Sequence, residues 1–161
     1  MPSTFDIESL EQCITLAVDS VASGGGPFAA LLVRDGQVIA RAWNRVVPNC
    51  DPTAHAEVEA LRQGGTALGT PHLDDCTLYA SCEPCPMCLA AALWSRVSRI
   101  VYAAPHDEAI RAGFADTHIA RQLYGQSGPV ALQEGLLEPC PVPRLSAPFD
   151  AWLARSDRIP Y

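Results

Sequence analysis

Residues 77–94 read TLYASCEPCPMCLAAALW, a stretch that passes from a strand into a helix through a loop with two cysteines. Residues 77–80 have the β-branched and aromatic side chains that are typical of a short strand. Residues 89–94 are dominated by alanine and leucine, which favour a helix. A further strand is predicted at residues 99–103, so the helix connects two strands that run parallel. The stretch therefore indicates an α/β fold.

Periodicity and turn signals divide the rest of the chain into further elements. We expect strands at residues 28–33, 38–43 and 130–133, and helices at residues 5–22, 54–62, 107–112 and 148–155. Asp35-Gly36 is typical of a hairpin turn between the first two strands, and Gly64-Gly65 is expected to end the second helix. Residues 44–53 and the stretch after residue 112 are expected to be loops. The pattern predicts a three-layer α/β/α arrangement with a mixed, mostly parallel, five-stranded sheet.

The composition is that of one globular domain. The chain has 161 residues, of which 48% are hydrophobic and 18% charged, and no apolar run reaches the length of a membrane span. The first residues are acidic rather than basic and lack the apolar segment of a signal peptide. We therefore expect a single domain over residues 1–161 that is cytoplasmic and does not bind a membrane.

The charged residues exclude several kinds of chemistry. All eleven basic residues are arginines, so the chain has no lysine for Schiff-base, pyridoxal or P-loop chemistry. The net charge of −7 argues against nucleic acid as a partner. The seven cysteines are an odd number without the dense spacing of a disulfide framework, so they are expected to be free thiols.

One histidine and two cysteines have the pattern of a metal site. His55 and Glu57 form an H-x-E motif, and Cys85 and Cys88 follow in a P-C-x-x-C motif. Each motif is predicted at the start of a helix, where the helix dipole lowers the pKa of a thiol. Three protein ligands leave the fourth position of a zinc ion to water, as at catalytic zinc sites. The two motifs in this order are typical of zinc-dependent base deaminases.

Other interpretations of these residues stay open at this point. The cysteine pair is also compatible with a thioredoxin-like redox pair or with simple packing. His55 is compatible with a buried structural histidine, and Glu57 with a carboxylate that stabilises a helix start. A structural zinc module would need a fourth protein ligand, and the remaining histidines are isolated in the sequence: His72, His106 and His118.

The sequence around both motifs resembles the cytidine deaminase-like superfamily, in particular its small bacterial guanine deaminases. The similar segments are Asn44, Gly26-Pro27-Phe28, Ala112-Gly113-Phe114, Asp116 and residues 51–57, 73–79, 81–88 and 146–152, and the likeness extends to the C-terminal Tyr161. The resemblance implies a cytidine deaminase-like fold and the hydrolysis of guanine to xanthine and ammonia. It also implies one zinc ion per chain, with a bound water or hydroxide that attacks the purine ring.

The resemblance also implies roles for individual residues. It implies zinc ligands at His55, Cys85 and Cys88, and two catalytic carboxylates, Glu57 and Asp116. It implies that Phe28 stacks on the purine and that Asn44 hydrogen-bonds the purine edge. The full set of implied substrate-binding residues is Phe28, Asn44, Ala54, His55, Trp94 and Tyr161. Three of these assignments have plain structural alternatives, namely a helix cap for Asp116, a core aromatic for Trp94 and a disordered end for Tyr161.

Assembly and exact substrate are less constrained by the resemblance. It implies a homodimer in which residues 144–161, a C-terminal helix and tail, are exchanged between protomers. The match is loose between residues 113 and 148, so a nucleoside such as guanosine or cytidine, or another amino-heterocycle, stays open as the substrate. A tRNA adenosine deaminase is a further alternative, although such relatives usually end in a basic helix and residues 151–158 are only mildly basic.

Overall fold

The computed structural model describes residues 2–114, 116–125 and 132–161. The strands of its mixed sheet lie in the order β2-β1-β3-β4-β5. Their bounds are β1 (Ala29–Arg34), β2 (Gln37–Trp43), β3 (Cys76–Cys82), β4 (Arg99–Ala104) and β5 (Leu137–Pro139). The expected mixed five-stranded sheet is confirmed within the described residues. The expectation that it is mostly parallel is wrong, because β1 pairs antiparallel with both β2 and β3, and only the β3–β4 and β4–β5 pairs are parallel.

Helices cover both faces of the sheet. Their bounds are α1 (Thr4–Ala22), α2 (Val46–Asn49), α3 (Ala56–Leu68), α4 (Pro86–Ser95), α5 (His106–Arg111), α6 (Thr117–Tyr124) and α7 (Ala147–Ala154). On one face, α3 and α4 pack on a core that contains Leu32 and Ile100. On the other face, α1 packs on Leu31 and Val101. The three-layer α/β/α prediction is confirmed, and none of the described helices is long and apolar enough to cross a bilayer.

The first helix is fixed at its start by a reciprocal pair of hydrogen bonds. The Ser3 hydroxyl accepts from the Asp6 backbone N–H, and the Asp6 carboxylate accepts from the Ser3 backbone N–H. The same carboxylate also accepts from the Tyr79 hydroxyl at 2.7 Å and from the Arg99 guanidinium at 2.7 Å. Asp6 is nevertheless buried. This network therefore anchors α1 to the strands β3 and β4.

The end of α3 differs from the prediction. The helix continues through Gly64-Gly65 and ends at Gly69, whose φ of +65° is the left-handed conformation typical of a helix end. Gly64 has a different purpose, because a Cβ atom there would overlap the side chain of Leu32 in β1. The glycine thus permits close packing of helix on sheet rather than ending the helix.

Two short helices and the last strand also differ from the prediction. α2 lies inside the expected loop at residues 44–53, and α6 lies inside the expected loop after residue 112. No residue of α6 is buried, and its apolar residues Ile119 and Leu123, which have helical spacing, are exposed. Of the strand expected at residues 130–133, residues 130 and 131 lie outside the described residues. The described last strand is β5, which runs parallel to β4.

Candidate active site

The predicted metal ligands meet between the starts of two helices. His55 is the N-cap of α3 and Cys85 is the N-cap of α4. The His55 Nδ1 atom lies 3.6 Å from Sγ of Cys85 and 3.4 Å from Sγ of Cys88. Ligands at about 2.3 Å for sulfur and about 2.05 Å for nitrogen, placed tetrahedrally around one zinc ion, would lie about 3.6 Å apart. The donor set and its spacing therefore fit one zinc ion.

The number of ligands distinguishes the type of zinc site. Within the described residues, the group of His, Cys, Asp and Glu side chains close enough to share an ion consists of His55, Cys85 and Cys88. A structural zinc site has four protein ligands, whereas a catalytic site retains one position for water or substrate. The arrangement matches a catalytic site.

The two thiols ionise unequally. A hydrogen bond from Cys88 to Cys85, supported by one from His55, lowers the pKa of Cys85 to about 4 despite burial. The pKa of Cys88 is raised well above its usual range, because Cys88 is engaged in this hydrogen bond to Cys85 and is also buried. Cys85 also accepts from the backbone N–H of Cys88 at the first turn of α4. One thiolate is thus stabilised by the protein, and a dication between the sulfurs would favour the second.

Glu57 lies beside the metal ligands and is 7% exposed. It follows His55 by two residues, in the first turn of α3, and lines the same pocket as His55 and Cys85. Burial, with a smaller contribution from the charge of Cys85, raises the pKa of Glu57 to about 7. A nearby dication would lower this pKa again. Glu57 is placed to exchange protons with a molecule bound next to the ligands.

The pocket has a volume of about 330 Å³ and aromatic walls. Small-molecule sites span roughly 300–1,000 Å³, so this pocket suits a small ligand. Phe28, Phe114 and Tyr161 line it. The Phe114 ring centroid lies 5.0 Å from that of Phe28 and 5.2 Å from that of Tyr161. Such rings favour a flat, aromatic ligand.

Asn44 provides a polar group at the pocket wall. Its side-chain oxygen accepts from the Val46 backbone N–H at 3.2 Å, and the residue is only 1% exposed. Because the oxygen is used in this way, the amide NH₂ group is the part available to a ligand. Asn44 therefore presents a hydrogen-bond donor to the pocket it lines.

Asp116 lines the pocket and is paired with a histidine. Its Oδ1 atom lies 2.9 Å from Nε2 of His106. Burial raises the pKa of Asp116 above its ordinary value, and the neighbouring His106 opposes part of that shift. The site thus contains a second carboxylate besides Glu57, on the α6 side of the pocket.

Two expected substrate-binding residues do not line the pocket. Ala54 is fully buried, and its backbone groups already pair with Asp51 and Arg45 in the loop. Trp94 is 85% exposed on α4, where it lines a separate surface depression with Leu93 and Pro71. Trp94 is close to the C-terminal end of α4, whereas the pocket lies at the N-terminal end of that helix, so a substrate-binding role for Trp94 stays a prediction.

Several pocket residues have no role in the sequence-based prediction. They are Val46, Pro52, Cys82, Glu83, His106, Ala109, Phe114, His118 and Ile119. His106 follows β4, and the loop with Cys85 follows the parallel neighbour β3. Parallel strands end at the same edge of a sheet. The position of His106 directly after β4 could therefore have indicated that it lies near the metal ligands.

Comparisons with known proteins agree with this geometry. Residues 3–104 match the family model for the cytidine and deoxycytidylate deaminase zinc-binding region. The guanine deaminase of Bacillus subtilis (strain 168) is 50% identical over 115 residues, which are 71% of this chain and 74% of that protein. The X-ray structure of guanine deaminase from Bacillus subtilis gives a TM-score of 0.72 at 40% identity and covers 96% of this chain and 97% of that one.

A relative that is named as a tRNA deaminase is similar to a shorter stretch of the chain. The tRNA-specific adenosine deaminase of Haemophilus influenzae is 41% identical over 103 residues, which are 63% of this chain and 60% of that protein.

Proposed function

The chain belongs to the cytidine and deoxycytidylate deaminase zinc-binding family, and from this we propose that it hydrolyses guanine to xanthine and ammonia. The observation that carries the proposal is that His55, Cys85 and Glu57 line a single pocket with aromatic walls. A planar amino-substituted ring fits such walls, and the polar groups lie where its amino group would react.

We assign the proton transfers to Glu57. Zinc held by His55, Cys85 and Cys88 would supply Lewis acidity that makes water a nucleophile near neutral pH. Glu57 accepts one proton from the water as it attacks C2 of guanine and delivers this proton to ring atom N3. It then accepts the second proton from the hydroxyl group left on C2 and delivers it to the amino group as the C2–N bond breaks. The products are xanthine and ammonia, and Glu57 ends in its initial state. Its burial shields these transfers from bulk water.

We assign ring recognition to the aromatic walls and to Asn44. Phe28, Phe114 and Tyr161 would contact the faces and edges of the purine. The Asn44 NH₂ group would donate to an acceptor of guanine, which carries acceptors at O6 and N7. A site built to hydrogen-bond polar atoms rejects analogues that leave such groups unpaired. The Asp116 carboxylate would accept from an N–H group of the ring.

We extend the proposal to the state of the protein in the cell. Trp94 and Leu93 form an exposed apolar surface on α4, which supports a homodimer. The exchange of residues 144–161 between protomers stays a prediction. Mixing Glu57→Gln chains with Tyr161→Ala chains tests it, because only an exchanged tail would restore an intact pocket and activity. The free cysteines support a location in the reducing cytoplasm.

Ammonia release from a panel of substrates tests the proposed reaction. Zinc-loaded protein is given guanine, guanosine, adenine, cytosine and cytidine in parallel, and Glu57→Gln serves as the blank. We expect release from guanine and a loss of about 100-fold or more in the blank, which should still bind zinc. Ammonia release only from another of these compounds would overturn guanine as the substrate and would leave the proposed zinc-dependent deamination intact. If none of these compounds releases ammonia, tRNA is tested next, and activity on it would support the alternative suggested by the Haemophilus influenzae relative.

A further inference from the structure

We propose that His106 is a positioning residue for the deamination and that it acts through the carboxylate of Asp116. The inference rests on the proposed function, in which Asp116 contacts the substrate. Its basis is geometric, since Nε2 of His106 lies 2.9 Å from Oδ1 of Asp116 and both residues line the pocket that contains Glu57.

The side chain of Asp116 does not cap the helix that it precedes. Asp116 is the N-cap of α6, where an aspartate normally accepts a hydrogen bond from the first turn of its own helix. Its side chain makes no capping bond. Instead, its Oδ1 atom lies 2.9 Å from Nε2 of His106. This close polar contact orients the carboxylate and leaves Oδ2 available to a bound ring.

His106 is held by the loop that precedes the two cysteine ligands. Its backbone N–H donates to Oε2 of Glu83 at 3.2 Å. The Glu83 backbone N–H donates to the carbonyl oxygen of Ala104 at 2.8 Å. Glu83 precedes Cys85 by two residues. Two hydrogen bonds therefore hold His106 to the loop before α4, and the 2.9 Å contact joins its ring to the carboxylate at the start of α6.

The connection has a consequence for the reaction. α6 has no buried residues, so packing alone does not fix the position of Asp116. The contact with His106 ties this carboxylate to the edge of the sheet, which is the rigid part of the site. A carboxylate fixed in advance has less to reorganise when the substrate binds, and displacements of about 1 Å can cost about 100-fold in rate.

A purely structural role for His106 predicts different behaviour. The His106 side chain is 30% exposed, so its removal creates no buried cavity. Loss of the ring should therefore change stability little. A positioning role instead predicts that the loss of activity depends on the presence of the Asp116 carboxylate.

A double-mutant cycle tests the proposal. His106→Leu and Asp116→Asn are made alone and together, and guanine deamination, zinc content and Tm are measured for each. We expect His106→Leu to lower kcat/KM about 10- to 100-fold, divided between kcat and KM as in Asp116→Asn. The combined variant should be within about twofold of Asp116→Asn alone, because the two residues act as one unit.

Two further variants serve as controls. His106→Gln retains an N–H donor and should recover most of the activity that His106→Leu loses. Asp107→Asn changes the exposed neighbour in the same turn of α5 and should leave kcat/KM within about twofold of the wild type.

The outcomes separate this inference from the proposed function. Full activity of His106→Leu, or losses that multiply in the combined variant, would overturn the positioning role and leave the function intact. Loss of zinc or a clear drop in Tm in His106→Leu would also overturn it, in favour of a structural role. A wild type that releases no ammonia from guanine would overturn the proposed function, and the role of His106 with it.

Discussion

The hydroxyl group of Tyr161 occupies the space that a Cβ atom at Gly26 would need. The last residue of the chain thus lies against the loop before Phe28 and forms part of the pocket wall. Gly26 does not have a positive φ, so its role is to allow this close approach rather than an unusual backbone conformation. Burial raises the pKa of Tyr161, so its hydroxyl stays neutral and packs without charge.

Gly26→Ala should therefore displace Tyr161 and weaken substrate binding. We expect the KM for guanine to rise about tenfold, because about 1.4 kcal/mol is within the range of one lost aromatic contact. Steady-state kinetics measures the effect. In a Tyr161→Ala background the same substitution should add little. A further full tenfold rise there would instead implicate the Asn44 side chain, which also lies near residue 26.

Most of the fold could be predicted from local sequence signals. The strand and helix around Cys85 and Cys88, the hairpin at Asp35-Gly36 and the amphipathic first helix each have a pattern that matches the observed element. The continuation of α3 past Gly64 could not be predicted, because the reason for that glycine is Leu32, which is distant in the sequence. The prediction misses α6, a short helix without buried residues, although Ile119 and Leu123 have helical spacing.

Some residues of the site could likewise be predicted from the sequence, and others could not. The motifs with His55 and Cys85 have a fixed spacing along the chain, so their chemistry could be inferred without a structure. The pairing of His106 with Asp116 depends on how α5 and α6 are placed, and nothing in either residue's local sequence indicates it. Trp94 shows the opposite case, since a resemblance suggested a pocket residue and the chain places it on the surface.

Loss of a zinc ligand should reduce stability as well as activity. We expect Cys85→Ser or Cys88→Ser to bind less than one zinc per chain and to have a lower Tm, because metal binding is linked to folding. A chelator should lower the Tm of the wild type, and added zinc should restore it. Cys50→Ser, at an exposed thiol, is the control and should match the wild type in zinc content. An equal loss of zinc in that control would contradict the assigned ligand set.

Asn44→Asp should reverse the hydrogen bonding at the purine edge. The variant retains the oxygen that accepts from Val46 but replaces the NH₂ donor with a second acceptor. We expect kcat/KM for guanine to fall at least about 100-fold, because a buried donor to the substrate is replaced by a repelling oxygen. Steady-state kinetics at constant zinc content measures this. Asn49→Asp is a matched control, since exposed Asn49 retains its acceptor for Arg45. Unchanged kinetics in Asn44→Asp would remove Asn44 from the substrate site.

Asp6 should make the stability of the protein depend on pH. Burial opposes its ionisation, but hydrogen bonds from Arg99, the Ser3 backbone and Tyr79 together hold the pKa of Asp6 well below its ordinary 3.8. A carboxylate whose folded pKa is depressed stabilises the fold fully above the unfolded pKa, and this contribution is lost as the pH falls toward the folded pKa. Asp6→Asn should thus cost about 3 kcal/mol of unfolding free energy near neutral pH.

The pH dependence of that difference separates the charge of Asp6 from its packing. Urea unfolding of the wild type and Asp6→Asn should give a constant difference from about pH 7 to about pH 5 and a shrinking one below about pH 4. Asp19→Asn, at an exposed site on the same helix, should show neither effect. A difference that stays constant into acid would mean that the shape of the side chain, and not its charge, anchors α1 to Tyr79 and Arg99.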